Sequence, residues 1–175
     1  MLNIIILQHI KIEDPGFIKD LMLDDGLNLT TIELDEGEKI PDDLKKFDGM
    51  FCMGGPMDTY MEKDYPWLIE EKKKIKEFVV DLKKPYLGFC LGCQLLGEVV
   101  GGKVVKSNPA EIGIMDINFT ENKKEDTLFS KFPDSIKSLQ WHSYEVQGIE
   151  KNPDITLLAS SPVTKYQIFK YRNCA

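Results

Sequence analysis

Short apolar runs alternate with amphipathic stretches through the first hundred residues. Residues 3–7 (NIIIL) are apolar at nearly every position, as in a strand buried on both faces of a parallel sheet. Asp14, Pro15 and Gly26 bracket a helix as cap, first helical residue and stop. Residues 27–34 (LNLTTIEL) predict a second strand, and a short helix is expected from Pro41. A third strand, 48–53 (DGMFCM), runs into the turn-rich loop GGPMDTY. A long helix then starts near Pro66, with Leu68, Ile75, Phe78, Val79 and Leu82 on one face and Glu and Lys on the other. Charge runs such as EEKKKIK read as solvated helix faces. Residues 85–89 (PYLGF) form a fourth buried strand. The next helix carries Leu95, Leu96, Val99 and Val100 and stops at Gly101-Gly102.

From residue 103 the pattern changes. KVVKS, IGIMDINF, IKSLQWH, YEVQG, ITLLASS and KYQIFKY predict strands separated by turns, with little helix. The fold class expected is α/β: a doubly wound, flavodoxin-like, mostly parallel sheet flanked by helices, with antiparallel or edge strands added in the C-terminal half. Residues 1–175 hold no internal repeat, low-complexity segment or linker, so one domain is expected. The end, KYQIFKYRNCA, has strand-like chemistry with nothing to cover an edge, which predicts a domain incomplete at its C-terminus.

Composition narrows the function classes. The chain carries a net charge of −7, and an acidic protein gains nothing from phosphate contacts, so nucleic acid is not the expected partner. No apolar run has the length of a membrane span. The start, MLNIIILQH, lacks a basic region or cleavage site and reads as a strand, not a signal peptide. The cytoplasm is the expected compartment, where Cys52, Cys90, Cys93 and Cys174 stay reduced.

The stretch 88–101, GFCLGCQLLGEVVG, holds two of these thiols. A C-x-x-C at a helix start can be a redox pair, because the helix N-terminus lowers the first thiol's pKa, but that chemistry does not require these glycines and this glutamine. A structural zinc site needs four ligands, and no second pair stands at ligand spacing, so no metal is expected. Inert packing suits Cys52, Cys174 and Cys93. Cys90 differs. It directly follows a strand and is flanked by Gly88 and Gly92, and G-x-C-x-G is the thiol counterpart of the G-x-S-x-G nucleophile elbow. A sharp strand-to-helix turn exposes the nucleophile, and glycines remove side chains that would clash. The helix N-terminus is expected to favour the thiolate and to offer N–H groups to an oxyanion. Such an elbow lies at the carboxyl end of a parallel strand, where open α/β sheets put their sites. The GGPM turn reaches the same edge. Alone it reads as an ordinary tight turn; paired with the elbow it becomes a candidate oxyanion hole.

GFCLGCQLLGEVVGGKV resembles the nucleophile signature of class I glutamine amidotransferases, G-x-C-x-G-x-Q followed by Gly-Gly-x-Val. MGGPMD is similar to the family's oxyanion loop in place and order, and EIG (111–113) and QWHSYEV (140–146) resemble two later blocks. The arrangement looks closest to stand-alone proteins similar to the amidotransferase domain of GMP synthase, over essentially the whole chain. The resemblance implies that Cys90 attacks the side-chain amide of glutamine, releasing ammonia and leaving a γ-glutamyl thioester. It implies an oxyanion hole from the N–H groups of Leu91 and Gly55. Gly54 and Gln94, with Ser143 and Tyr144, would bind substrate, and Cys93 would take no part. It implies no metal or organic cofactor, and ammonia passing to a separate synthetase partner or to solvent.

The family's base belongs to a C-terminal F-H-x-E block, and the only histidines here are His9 and His142. Three explanations stand: a truncated version of an ordinary enzyme, a naturally shortened inactive homologue, or His142 as a substitute base. Both histidines are candidate site-lining residues, His142 bordering the site and His9 just past the first strand. Without base and orienter, turnover by residues 1–175 alone is expected to be severely impaired. The alternatives carried forward are a γ-glutamyl peptidase with the same elbow, an inactive homologue that binds or regulates a partner, and a flavodoxin-like binder of FMN.

Overall fold

The computed structural model describes all of residues 1–175, which divide into two compact units: 1–99 with 174–175, and 100–173. The first unit is built on four parallel strands, β1 (Asn3–Gln8), β2 (Asn28–Glu33), β3 (Gly49–Cys52) and β4 (Tyr86–Gly88), in the order β2-β1-β3-β4. The strand order reverses at β1, so the crevice past the carboxyl ends of β1 and β3 is the place where such sheets bind ligands. β1 is central, and Ile5, Ile6 and Leu7 are fully buried, as a continuous apolar run demands.

Three helices complete this unit: α1 (Phe17–Asp24), α2 (Trp67–Lys76) and α3 (Leu91–Val99). A π-helical turn, Glu77–Asp81, prolongs α2, and Leu68, Ile75, Phe78 and Val79 form its buried side as the pattern predicts.

Four local expectations are corrected. Helix α1 starts after Gly16, which holds φ 53°, and not at Pro15. No helix follows Pro41. Strand β4 is an edge and not a buried strand: only three residues pair, and Leu87 is exposed. Its outer side is met by the chain's own end, the Tyr86 N–H donating to Cys174 O at 2.6 Å. Finally, Glu71 and Lys74 of the charge run are buried. Glu71 stands three residues after Leu68 and four before Ile75, so helical periodicity puts it on the apolar face. Lys74 reaches out to Asp42 O at 3.1 Å and Glu77 at 3.2 Å.

The second unit is an antiparallel sheet of β5 (Lys103–Phe119), β6 (Ser135–Gln147), β7 (Ile155–Ser160) and β8 (Ile168–Tyr171), ordered β6-β5-β7-β8. Segments that look separate in sequence, KVVKS with IGIMDINF and IKSLQWH with YEVQG, join as single long strands across a register break between Lys106 and Glu111. One face of the β5–β6 pair is solvated. There Ile112 opposes Trp141 and Ile114 opposes Leu139, and all four are exposed. The other face helps to form a core with Ile117, Val146, Leu158 and Phe169. No helix in either unit is long and apolar enough to cross a membrane.

Candidate active site

Cys90 occupies the turn between β4 and α3 with φ 49°, a region an L residue enters only under constraint. The constraint is packing. A Cβ on Gly88 would stand 2.6 Å from the Gly92 carbonyl carbon and 2.8 Å from the Cys93 nitrogen, and a Cβ on Gly92 would stand 2.3 Å from Cys52 O. Backbone hydrogen bonds clamp the turn to the end of β3: Phe89 N–H to Cys52 O at 2.9 Å and Gly92 N–H to Met53 O at 3.2 Å. The Tyr86 hydroxyl donates to Gly92 O at 2.8 Å from below. Two glycines of the motif therefore permit strand, turn and helix to touch, and the thiol is thrust outward and left exposed.

The glycine loop after β3 lies against this turn. A Cβ on Gly54 would be 3.6 Å from Cys90 Cβ, and one on Gly55 would be 3.2 Å from Leu91 Cδ2. Cys90, Leu91, Gly54 and Gly55 are thus brought together. Gln94 follows one helical turn after Cys90 on α3. Beyond the loop, Lys72 holds it to α2 and α3 through Thr59 O (2.7 Å), Glu62 (2.8 Å) and Glu98 (2.8 Å).

Electrostatics at the thiol differ from expectation. Desolvation by the surrounding protein raises the Cys90 pKa, the Glu13 carboxylate raises it further, the Leu91 N–H pulls it down, and Asp58 adds to the rise. The net direction is upward, so the helix N-terminus does not by itself yield a thiolate. Glu13, from the loop after β1, fills the space that Gly54 leaves empty: its Oε2 is 2.3 Å from where a Gly54 Cβ would be. Cys93 is pushed up to about 12 by burial and by its neighbour Cys90. A redox dithiol needs a readily formed thiolate, and neither member of this pair has one.

His9 follows β1 and is fully buried beneath the glycine loop. Its Nδ1 lies 2.8 Å from Gly54 O and its Nε2 2.8 Å from Glu71 Oε1, and the ring stacks on Trp67 at 5.5 Å. The Cys52 thiol donates to the same Glu71 oxygen at 3.3 Å. His9, Cys52 and Glu71 are ligand types, and here they are joined by hydrogen bonds through Glu71 Oε1; three groups fall one short of the four ligands of a structural zinc site. A carbonyl oxygen can only accept, so Nδ1 carries a proton. A carboxylate accepting at Nε2 requires the second. These contacts favour the protonated ring: burial alone would lower the His9 pKa, but Glu71, the Gly54 carbonyl and Glu13 raise it on balance. Both ring nitrogens are committed, and neither is available to Cys90. Glu13, Trp67 and Glu71 are not singled out by sequence motifs; only the helical phase of Glu71 within α2 hints that it faces inward.

The remaining candidates lie in the second unit. His142 is on β6 opposite Glu111, with Nδ1 donating to Tyr144 O at 3.0 Å and Nε2 3.2 Å from Glu111. Gln167 donates to the same Glu111 carboxylate at 2.6 Å. Ser143 sits at the register break and Tyr144 opposite Lys106, both half-buried. His142 thus has a full set of partners within its own sheet.

A family model for glutamine amidotransferase class-I matches residues 18–171. The chain is 33% identical over 159 residues to the glutamine-hydrolyzing GMP synthase subunit of Sulfolobus acidocaldarius, covering 91% of this chain and 73% of that one. It is 31% identical over 131 residues to gamma-glutamyl peptidase 3 of Arabidopsis thaliana, covering 73% of this chain and 51% of that one. A crystal structure of a glutamine amidotransferase from Thermotoga maritima superposes with a TM-score of 0.89 at 28% identity, over 99% of this chain and 73% of that one. The family match over most of the chain and the superposition over nearly all of it agree, and this chain belongs to the class I glutamine amidotransferase family.

Proposed function

We propose that the protein is a glutamine amidotransferase-type hydrolase in which Cys90 is the nucleophile. The Cys90 sulfur attacks the side-chain amide carbon of glutamine. An S–C bond forms, and the carbonyl electron pair moves to oxygen, held by the N–H groups of Leu91 and Gly55. Collapse breaks the C–N bond, and nitrogen leaves as ammonia with a proton taken from the thiol. Water then cleaves the γ-glutamyl thioester to glutamate. Gly54 and Gln94, with Ser143 and Tyr144, are assigned to substrate binding. The observation that carries this reading is the Cys90 turn itself: φ 49° on an exposed cysteine with the Gly54 and Gly55 backbone packed against it and against Leu91. A raised thiol pKa makes the first step slow unless a base assists it. His9 does not supply one, since both its nitrogens are engaged. Reduced thiols suit the cytoplasm. Similarity to a GMP synthase subunit supports a synthetase partner that takes up the ammonia.

Similarity to a γ-glutamyl peptidase supports a second reading, the same acyl transfer with an amino acid or peptide as leaving group. One experiment tests both. The chain is incubated with glutamine and, separately, with γ-glutamyl dipeptides. Ammonia, released amino acid and acylation of the Cys90 peptide are followed by mass spectrometry, with Cys90→Ala as control. Acylation of Cys90 is expected, and the substrate that acylates faster decides between the readings. No adduct from either substrate, or equal labelling in Cys90→Ala, refutes both.

A further inference from the structure

We infer that the buried His9–Glu71 pair is a positioning device that fixes the orientation of the Gly54–Gly55 peptide. The inference rests on the oxyanion reading above and adds residues that no motif supplies. The Gly54–Gly55 peptide is trans, so its C=O and N–H point to opposite sides. By holding Gly54 O at 2.8 Å on the buried side, the His9 ring turns the Gly55 N–H away from the interior. Glycine needs such a hold. With no side chain at 54 or 55, nothing local prevents the peptide plane from rotating, and glycine populates both signs of φ.

The rest of the cluster keeps the ring where it is. Glu71 takes the Nε2 proton at 2.8 Å, the Cys52 thiol adds a second donor to the same oxygen, and Trp67 stacks on the ring face at 5.5 Å. His9 Cβ would also stand 2.9 Å from a Cβ on Gly55, which leaves the loop no space to slide toward it. The other carboxylate oxygen, Glu71 Oε2, is buried with no partner, so part of this pair's gain is spent on desolvation. A buried pair of that kind is weak as a stabiliser and strong as an orienting element, because a charged donor makes the shorter and stiffer bond.

Three measurements test the inference. The first uses the unaltered protein: ring ¹⁵N shifts of His9 at neutral pH should show Nδ1 protonated and hydrogen-bonded, and a ring unprotonated at Nδ1 overturns the inference. The second compares variants. Glutamate γ-semialdehyde should add to Cys90 as a hemithioacetal, the S–C bond forming as the thiol proton passes to the carbonyl oxygen; this places an oxygen where the oxyanion would be. His9→Leu and the isosteric Glu71→Gln should weaken that addition about tenfold or more. Alkylation of Cys90 by iodoacetamide, which needs no oxyanion donor, should change less than about twofold. His9→Asn, whose side-chain amide can donate to Gly54 O, should restore most of the loss. Equal falls in both assays, or no fall in a folded Glu71→Gln, overturn the inference. The third reads the peptide directly, as hydrogen exchange of the Gly55 amide, which should speed up in the variants that weaken addition. If the unaltered protein does not add the aldehyde, the acyl-transfer reading fails, and the Gly55 amide alone decides whether His9 holds the loop.

Discussion

Glu13→Gln isolates the effect of one carboxylate on the Cys90 thiol. Glu13 Oε2 and Cys90 Cβ both lie against the empty Cβ position of Gly54, at 2.3 and 3.6 Å. The carboxylate is therefore within about 6 Å of the thiol's carbon, and at that limit two unit charges at an effective dielectric of about 20 repel by on the order of 3 kcal/mol. Cys90 is exposed on its outer side, so screening reduces this to about 1.4 kcal/mol. Removing the charge at constant shape then raises the thiolate population at pH 7 about tenfold. A thiolate of lower basicity is also a weaker nucleophile, by roughly threefold over that range, so the net alkylation rate should rise about threefold. Above the thiol pKa of both proteins the order reverses, and the variant becomes slower by about the same factor. The assay is iodoacetamide labelling from pH 6 to 11, quantified on the Cys90 peptide to exclude the other thiols. Superimposable pH–rate profiles would refute the placement of Glu13 beside the thiol, and a variant slower at pH 7 would refute the sign of its effect.

Gly92→Ala should be severe, about 3 kcal/mol or more of lost stability in urea unfolding, because its Cβ meets the Cys52 backbone at 2.3 Å. Gly54→Ala should cost much less, since there the close atom is the movable end of Glu13; equal losses would contradict this picture of the turn. Cys90→Gly should be more stable than Cys90→Ala by roughly 0.5–1 kcal/mol, the reverse of the usual order, because φ is 49° at this position. A Cys90→Ala that melts higher would show that the turn stores no strain. His9 has a folded pKa above the ordinary 6.5. Its contribution is complete below pH 6.5 and is lost as pH rises through the folded value, because folding then retains a proton that the unfolded chain has released. Melting temperatures of the native chain should therefore fall relative to His9→Asn as pH rises above that point, and parallel curves would argue against the imidazolium.

Much of the first unit was legible from local chemistry. A run such as NIIIL needs no partner to declare itself a strand buried on both sides, and β1 is that strand. The elbow was equally local. Gly88 and Gly92 specify a tight strand-to-helix turn around Cys90 by what they lack, since a Cβ at either position would collide with backbone. The short β4 edge, the missing helix after Pro41 and the joined strands β5 and β6 were not legible, because each depends on which neighbour is present and not on the residues alone.

The environment of the thiol was decided by tertiary structure. The helix N-terminus promised a lowered thiol pKa, and the Leu91 N–H does pull that way, but desolvation by the surrounding protein, together with Glu13 from another loop, outweighs it. Glu71 looked like one of many charges on a helix, and only packing of α2 turned it toward His9, 62 residues away in sequence. Sequence by itself marked the turn, because both glycines that flank Cys90 stand in one short motif, although what Gly92 must clear is the Cys52 backbone of another strand. Only the tertiary structure decided the charges around it, because electrostatic fields act through space and ignore the order of residues along the chain.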